Sequence, residues 1–266
     1  MKKKTKKKIL YLLFILLIIG SGILLYTEYN KETPADNELS GPTPSEIEIT
    51  EEQKETKVIE KVTIKMAPDV DLAAERKKNN NQYIVGRLEI PDLLNVLVAQ
   101  SNDNEYYLTH AVNKKSDYRG SEFLDYRVKP TAKQINIYGH NSRSGNINVA
   151  FLRLEKFLDK TFFDNNQYII FQHDGGKSVY KIIAIKEVYS QNKDGSPVEH
   201  MLITQNDWKQ YNRSFVDHIK IMTTGNGTIY RRASNYNENS EIIVLQTCSH
   251  HWDNAVYIIT GVKIDY

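Results

Sequence analysis

The chain contains one cysteine, Cys248, at the end of an apolar run, Ile242-Ile243-Val244-Leu245-Gln246-Thr247. A second apolar run, Ile135-Asn136-Ile137-Tyr138, leads into Gly139-His140-Asn141. A thiol at the tip of one strand and an imidazole at the tip of another are the parts of a nucleophile pair. The thiolate is the reactive form of cysteine, and a neighbouring imidazolium favours it. Such a thiolate attacks an acyl carbonyl to give a thioester, which water or an amine then resolves. His140 would protonate the leaving amine and deprotonate the incoming nucleophile. The oxyanion formed on the way needs donors, either backbone N–H groups or a cation. A lone cysteine excludes an internal disulfide and leaves two readings, a buried bystander or a reactive group. Its place at a strand end favours the second.

The elements that must carry these residues follow from hydrophobic periodicity. Asp69 to Lys77 reads as a helix with an acidic first turn. Strands are expected at Tyr83 to Ile90, Asn95 to Ala99, Gln134 to Tyr138, Tyr168 to Phe171, Val179 to Val188, Ile242 to Thr247 and Val256 to Ile264. Val149 to Leu158 reads as a helix. So does Gln205 to Met222, where Trp208, Tyr211, Phe215 and Ile219 recur at spacings of three and four and form a core face. Many strands with interspersed helices predict a mainly β barrel or sandwich decorated by helices.

The N-terminal part is different. Six lysines crowd residues 2–8, and an uncharged apolar stretch runs from Ile9 to Tyr26, long enough to cross a bilayer core of roughly 30 Å. Residues 1–8 are therefore expected to be a cytoplasmic tail, 9–26 a single-pass signal-anchor in the cell membrane, and the rest extracellular. A cleaved signal peptide competes with this reading, but Glu28-Tyr29-Asn30 offers no small-x-small cleavage site. Residues 27–68, rich in Glu, Lys, Thr and Pro, read as a stalk, with a transient charged helix between Glu48 and Lys65. The folded domain is expected over 69–266. The formal charge is +2, and setting aside the six tail lysines turns it into −4, so the sequence makes no case for nucleic acid.

Several separated motifs then resemble one family, the sortases. Leu245-Gln246-Thr247-Cys248 resembles their Leu-x-Thr-Cys signature, and Tyr138-Gly139-His140-Asn141 their histidine motif. Asn102 to Leu108, Tyr118 to Arg127, and Gly145 to Phe151 with Leu154, Phe157 and Phe163 are similar to segments of class B in particular. The insertion from about Gln191 to Ser240 resembles the class B loop before the penultimate strand. The resemblance covers roughly Leu72 to Ile264. It implies an eight-stranded β-barrel with an N-terminal helix and a helix-containing insertion, at the outer face of a Gram-positive cell. It also implies a transpeptidase that cuts a sorting motif of a secreted protein after Thr, holds it as a thioester, and passes it to an amine of the cell-wall precursor. By position Cys248 would be the nucleophile and His140 the acid/base. Asn104, Leu108, Gln246 and Thr247 would line the peptide groove. No cofactor is implied.

One element of the family pattern is missing. Sortases carry an arginine shortly after the cysteine, at the start of the last strand, and Ser249 to Ile258 contains none. Counting back from Val262-Lys263-Ile264 puts Tyr257 at or next to that place. Tyr257, Arg231 and Arg232 are the candidate substitute oxyanion donors, with Arg213, His250 and His251 as further cations. Losing one such donor costs about 10²–10³ in rate. The missing residue therefore keeps two alternatives open, an impaired homologue that binds peptides or proteins at the surface and a plain cysteine peptidase. Cys248, His250 and His251 lack a usual metal-ligand spacing, so no metal is expected.

Overall fold

The computed structural model describes residues 45–52, 59–142, 149–193 and 198–265. The apolar stretch 9–26, its lysine-rich flank and the first part of the expected stalk lie outside the described residues. Among the described residues no helix is long and apolar enough to cross a membrane.

The main body is one sheet that closes on itself. In chain order its strands are β3 (Ile84–Ile90), β4 (Leu94–Ala99), β5 (Phe123–Leu124), β6 (Gln134–Tyr138), β7 (Tyr168–His173), β8 (Gly176–Tyr189), β9 (Thr228–Arg231), β10 (Ile242–Ser249) and β11 (Ala255–Ile264). The order across the sheet is β11-β10-β6-β5-β4-β3-β7-β8-β9, and β11 also pairs with β8. That last pairing closes eight strands into the expected barrel and leaves β9 as an outer flap on β8. Closure removes the exposed edges that an open sheet would carry. Most pairs are antiparallel, but β6 and β10 run parallel, so both point their C-terminal ends the same way.

Inward-facing residues of alternate register fill the barrel, among them Leu88, Val96, Ile137, Phe171, Ile243, Leu245, Tyr257 and Ile259. A 3₁₀ helix, Ala150–Leu158, contributes Phe151, Leu154 and Phe157 to the same core. The sequence pattern gave a helix here without distinguishing its pitch. A second core lies on the outer face of β10 and β11. There Ile242, Val244, Val256 and Ile258 pack against Trp208, Phe215 and Ile219. These three residues are the expected core face of the insertion, whereas Tyr211 is exposed. The predicted single helix is in fact two. α3 (Gln205–Gln210) follows α2 (Lys160–Asn165) in chain order, and α4 (Phe215–Thr223) comes next. The break falls at Asn212, which has a positive φ of 52°, and at Ser214, whose hydroxyl caps α4.

Ahead of the barrel, α1 (Leu72–Lys78) is capped by Asp71 as its sequence suggests. The segment before it departs from the stalk reading. Ser45–Glu52 (β1) and Ile59–Met66 (β2) form an antiparallel hairpin where a transient helix was expected. Ile64 and Met66 are buried against Tyr168, Ile170 and Val179. The backbone N–H of Ala67 donates to Glu89, and Arg87, itself paired with Glu89 at 2.8 Å, donates to the Pro68 carbonyl. Packing onto the barrel therefore begins upstream of residue 69. The physical cause is the alternation Val62-Thr63-Ile64-Lys65-Met66, a period of two within a charged composition.

Candidate active site

The register between β6 and β10 brings together the strand ends that lead to the two candidate side chains. Gln246 pairs with Tyr138, and the Gly139 N–H continues the ladder onto the Gln246 carbonyl at 3.3 Å. Cys248 and His140 each lie two residues beyond that pair. They therefore sit on chain segments that leave neighbouring strand ends side by side, where a continued ladder would space the two backbones roughly 5 Å apart. Residues 245 and 247 project to the face of β10 opposite Cys248, where Leu245 joins the barrel core and Thr247 is buried.

His140 is pinned. Its Nε2 lies 2.7 Å from the Leu108 carbonyl. A carbonyl can only accept, so Nε2 carries the proton and Nδ1 holds the free lone pair of the neutral ring. Gly120 sits against the ring: a Cβ there would stand 3.0 Å from His140 Cδ2 and 2.4 Å from the Tyr107 carbonyl, and its φ of +64° is one that L side chains rarely adopt. Gly139 is forced in the same way, because a Cβ would meet the Phe151 ring at 2.7 Å.

Cys248 is an exposed free cysteine whose Sγ makes no hydrogen bond among the described residues. The atoms crowded around it nevertheless push the thiol pKa up by desolvation, so the resting group is the neutral thiol. The strand end that carries it is tied down at three points. Thr247 Oγ1 donates to the Gly139 carbonyl at 2.7 Å, Asn141 Nδ2 donates to the Cys248 carbonyl at 2.9 Å, and Glu187 accepts from the Ser249 hydroxyl and from His251 Nδ1.

The other expected residues divide. Leu108 meets the histidine through its carbonyl. Asn104 is held away from free solvent by Asp125, which accepts from its amide at 2.9 Å, and by the Tyr126 N–H. Asp125 is fully buried. Burial alone would raise its pKa, but Arg127, Tyr138 and Asn104 outweigh that and hold the carboxyl low. Gln246 shares the outer face with Cys248. Thr247 faces inward with its hydroxyl occupied, so it does not line an open groove.

Of the candidate oxyanion donors, none faces the thiol. Tyr257 pairs with Thr247, is 2% exposed, and sits in the barrel core on the face opposite Cys248. Its hydroxyl has no hydrogen-bond partner and burial drives its pKa far up. Arg232 donates to the carbonyls of Ile182 and Phe163, and its guanidinium lies 3.6 Å from the Phe163 ring centre. Arg231 pairs with Ala184. Across the sheet Cys248 aligns with Val256 and Val188, so Ala184 and Ile182 are four and six residues further along β8, roughly 13 and 20 Å from the reactive end. His250, two residues after Cys248, has its Nε2 3.4 Å from the Asn141 carbonyl. Three residues of this site were not singled out from the sequence: Gly120, Asn141 and Glu155. The first two lie inside recognised motifs. Glu155 reaches the site only through space, accepting from Asn141 Nδ2 at 2.6 Å.

The closed eight-stranded barrel is the fold that the resemblance in sequence implied. No protein-family model matches this chain. It is 29% identical over 176 residues to sortase B of Listeria monocytogenes, which is 65% of this chain and 65% of that protein. It is 26% identical over 171 residues to sortase B of Staphylococcus aureus, 63% of this chain and 64% of that one. The chain thus spans just under two-thirds of the curated relatives it matches. Among solved structures, Clostridium perfringens sortase B superposes with a TM-score of 0.56 at 24% identity, covering 73% of this chain and 88% of that one. The chain is thus similar in sequence to class B sortases and shares the fold of their solved structures.

Proposed function

We propose that the protein is a class B-type sortase, a cysteine transpeptidase. Cys248 attacks the carbonyl after the Thr of a sorting motif in a secreted protein, the C–N bond breaks, and the leaving amine takes a proton through His140. The resulting thioester is resolved by an amine of the cell-wall precursor, which loses its proton to His140 as the new amide forms and the thiol is released. In this reading residues 9–26 hold the chain in the cell membrane, with residues 1–8 cytoplasmic and the barrel outside. The observation that carries the reading is that Cys248 and His140 lie just past the paired C-terminal ends of two neighbouring parallel strands. The Nε2–H tautomer supports it too, since it leaves Nδ1 as the base.

A second reading is favoured by one observation: Tyr257, Arg231 and Arg232 all lie away from the thiol. A homologue without a charged oxyanion donor would be slow, and its surviving role would be to bind peptides at the surface. Incubating the chain with Thr-containing sorting peptides and an amine, and following Cys248 by intact mass, separates the two. An acyl adduct that an amine resolves faster than water supports the transpeptidase. An adduct that water clears equally fast points to a peptidase. Peptide binding without any adduct favours the impaired homologue.

A further inference from the structure

Asn141 occupies an unusual position between the two reactive ends. Its side-chain amide makes three hydrogen bonds. Nδ2 donates to Glu155 Oε1 at 2.6 Å and to the Cys248 carbonyl at 2.9 Å, while Oδ1 accepts from the Ser142 N–H at 2.7 Å. The orientation of the amide is fixed by its partners, because a carboxylate and a carbonyl can only accept and an N–H can only donate. Asn141 is the residue after His140, and its own carbonyl faces His250 Nε2. A single side chain therefore joins the histidine-bearing loop to the cysteine-bearing strand just past the point where the β6–β10 ladder ends.

Glu155 gives this link a rigid base. It projects from the 3₁₀ helix Ala150–Leu158, whose Phe151, Leu154 and Phe157 are fully buried in the barrel core. Phe151 also packs closely against Gly139, the residue before His140. The helix thus grips the histidine loop on both sides of His140, at Gly139 by packing and at Asn141 by a charge-assisted hydrogen bond.

We infer that Asn141 and Glu155 are positioning residues: they clamp the His140 loop to the Cys248 strand and so set the distance over which imidazole and thiol cooperate. The inference rests on the transpeptidase reading for its rate consequence, but the coupling it describes can be measured without any sorting peptide.

Two measurements test it. The first is the rate at which iodoacetamide alkylates Cys248 at pH 7 in a cycle of His140→Ala and Asn141→Ala. With Asn141 present, removing His140 should change the rate about tenfold, the effect of roughly one unit in thiol pKa. In the Asn141→Ala background the same removal should change it less than about twofold. The second is the rate of Cys248 acylation by a sorting peptide. Asn141→Ala should lower it on the order of tenfold to a hundredfold, the scale of a misplacement of about 1 Å. Glu155→Ala should lower it less, and Glu155→Gln should restore most of the loss because its carbonyl accepts the same hydrogen bond. If Asn141→Ala unfolds, as thermal melting would reveal, the Glu155→Ala and Glu155→Gln pair carries the test alone. A His140 effect that persists undiminished in Asn141→Ala, or equal rates for Glu155→Ala and Glu155→Gln, would overturn the clamp. A wild-type chain that shows the alkylation coupling but never acylates would instead count against the transpeptidase reading and leave the clamp supported.

Discussion

The two ends of the reactive pair are built differently. His140 is enclosed: the Leu108 carbonyl fixes its tautomer, Gly120 lies against its edge, and the loop on either side is gripped by Phe151 and Glu155. Among the described residues Cys248 is anchored through its backbone and its neighbours, while its own side chain is exposed and makes no hydrogen bond. The contrast teaches that the fold fixes the imidazole and leaves the thiol open, which in the proposed transpeptidase means a held acid/base and a nucleophile free to be acylated. It also predicts an asymmetry. Changes on the histidine side should cost stability as well as rate, and changes at the thiol should cost rate alone.

The sharpest form of that asymmetry is Cys248→Ala. All acyl transfer should disappear while the thermal midpoint stays within a degree or two, since the lost side chain makes no hydrogen bond and lies on the surface. A large drop in melting temperature would break the comparison.

Acid should act next most strongly, through the root of the strand that carries His140. His218 Nε2 meets Gln134 Oε1 at 2.8 Å, Gln134 donates to Asn136, and Asn136 donates to the His200 carbonyl. Both histidines are buried and held neutral, their pKa values lowered to about 4, chiefly by desolvation, with Lys186 opposing His200 and Arg213 opposing His218. In the unfolded chain they would titrate near 6.5. Between about pH 6.5 and 4 the unfolded state therefore binds more protons than the native one, and stability falls as pH falls through that window, levelling off below about 4. The loss is up to about 3 kcal/mol per histidine. Urea unfolding at pH 7 and pH 4.5 measures it, and replacing His218 by Gln should flatten the dependence. Unchanged stability across the window would mean that these rings are not held neutral.

Gly120→Ala probes the histidine side directly. The added methyl meets the Tyr107 carbonyl and the imidazole edge in a backbone conformation that alanine resists, so stability should drop by about 1–3 kcal/mol and acylation should slow with it. Loss of rate with no loss of stability would deny the enclosure of His140.

Tyr257→Phe should have the smallest effect. The hydroxyl is buried without a partner and faces away from the thiol, so its removal should leave acyl transfer within about twofold and stability unchanged or slightly raised, by less than about 1 kcal/mol. A fall of a hundredfold would reinstate Tyr257 as an oxyanion donor.

Much of this was legible in the sequence, for reasons that particular residues make plain. The runs Ile242 to Cys248 and Ile135 to His140 end in the candidate reactive side chains, and their short apolar, β-branched composition was enough to make both of them strands. Trp208, Phe215 and Ile219 gave away the insertion's buried face. What sequence could not supply was register and facing. That Tyr257 points into the barrel depends on which residue of β11 lies opposite Thr247. That Arg232 is spent on Phe163 depends on a contact 69 residues away. Glu155 had no signal at all, because its role exists only once the 3₁₀ helix packs beside Gly139. The hairpin at residues 45–66 was hidden by a charged composition that outweighed its period of two.

The most direct test of the account is single-turnover acylation of Cys248 by a sorting peptide, with and without an amine, in the wild-type chain and in His140→Ala. The account predicts a thioester on Cys248 that the amine resolves faster than water, formed at least about 10²-fold more slowly without the histidine. Equal rates in the two proteins, or acylation at any other residue, would contradict it.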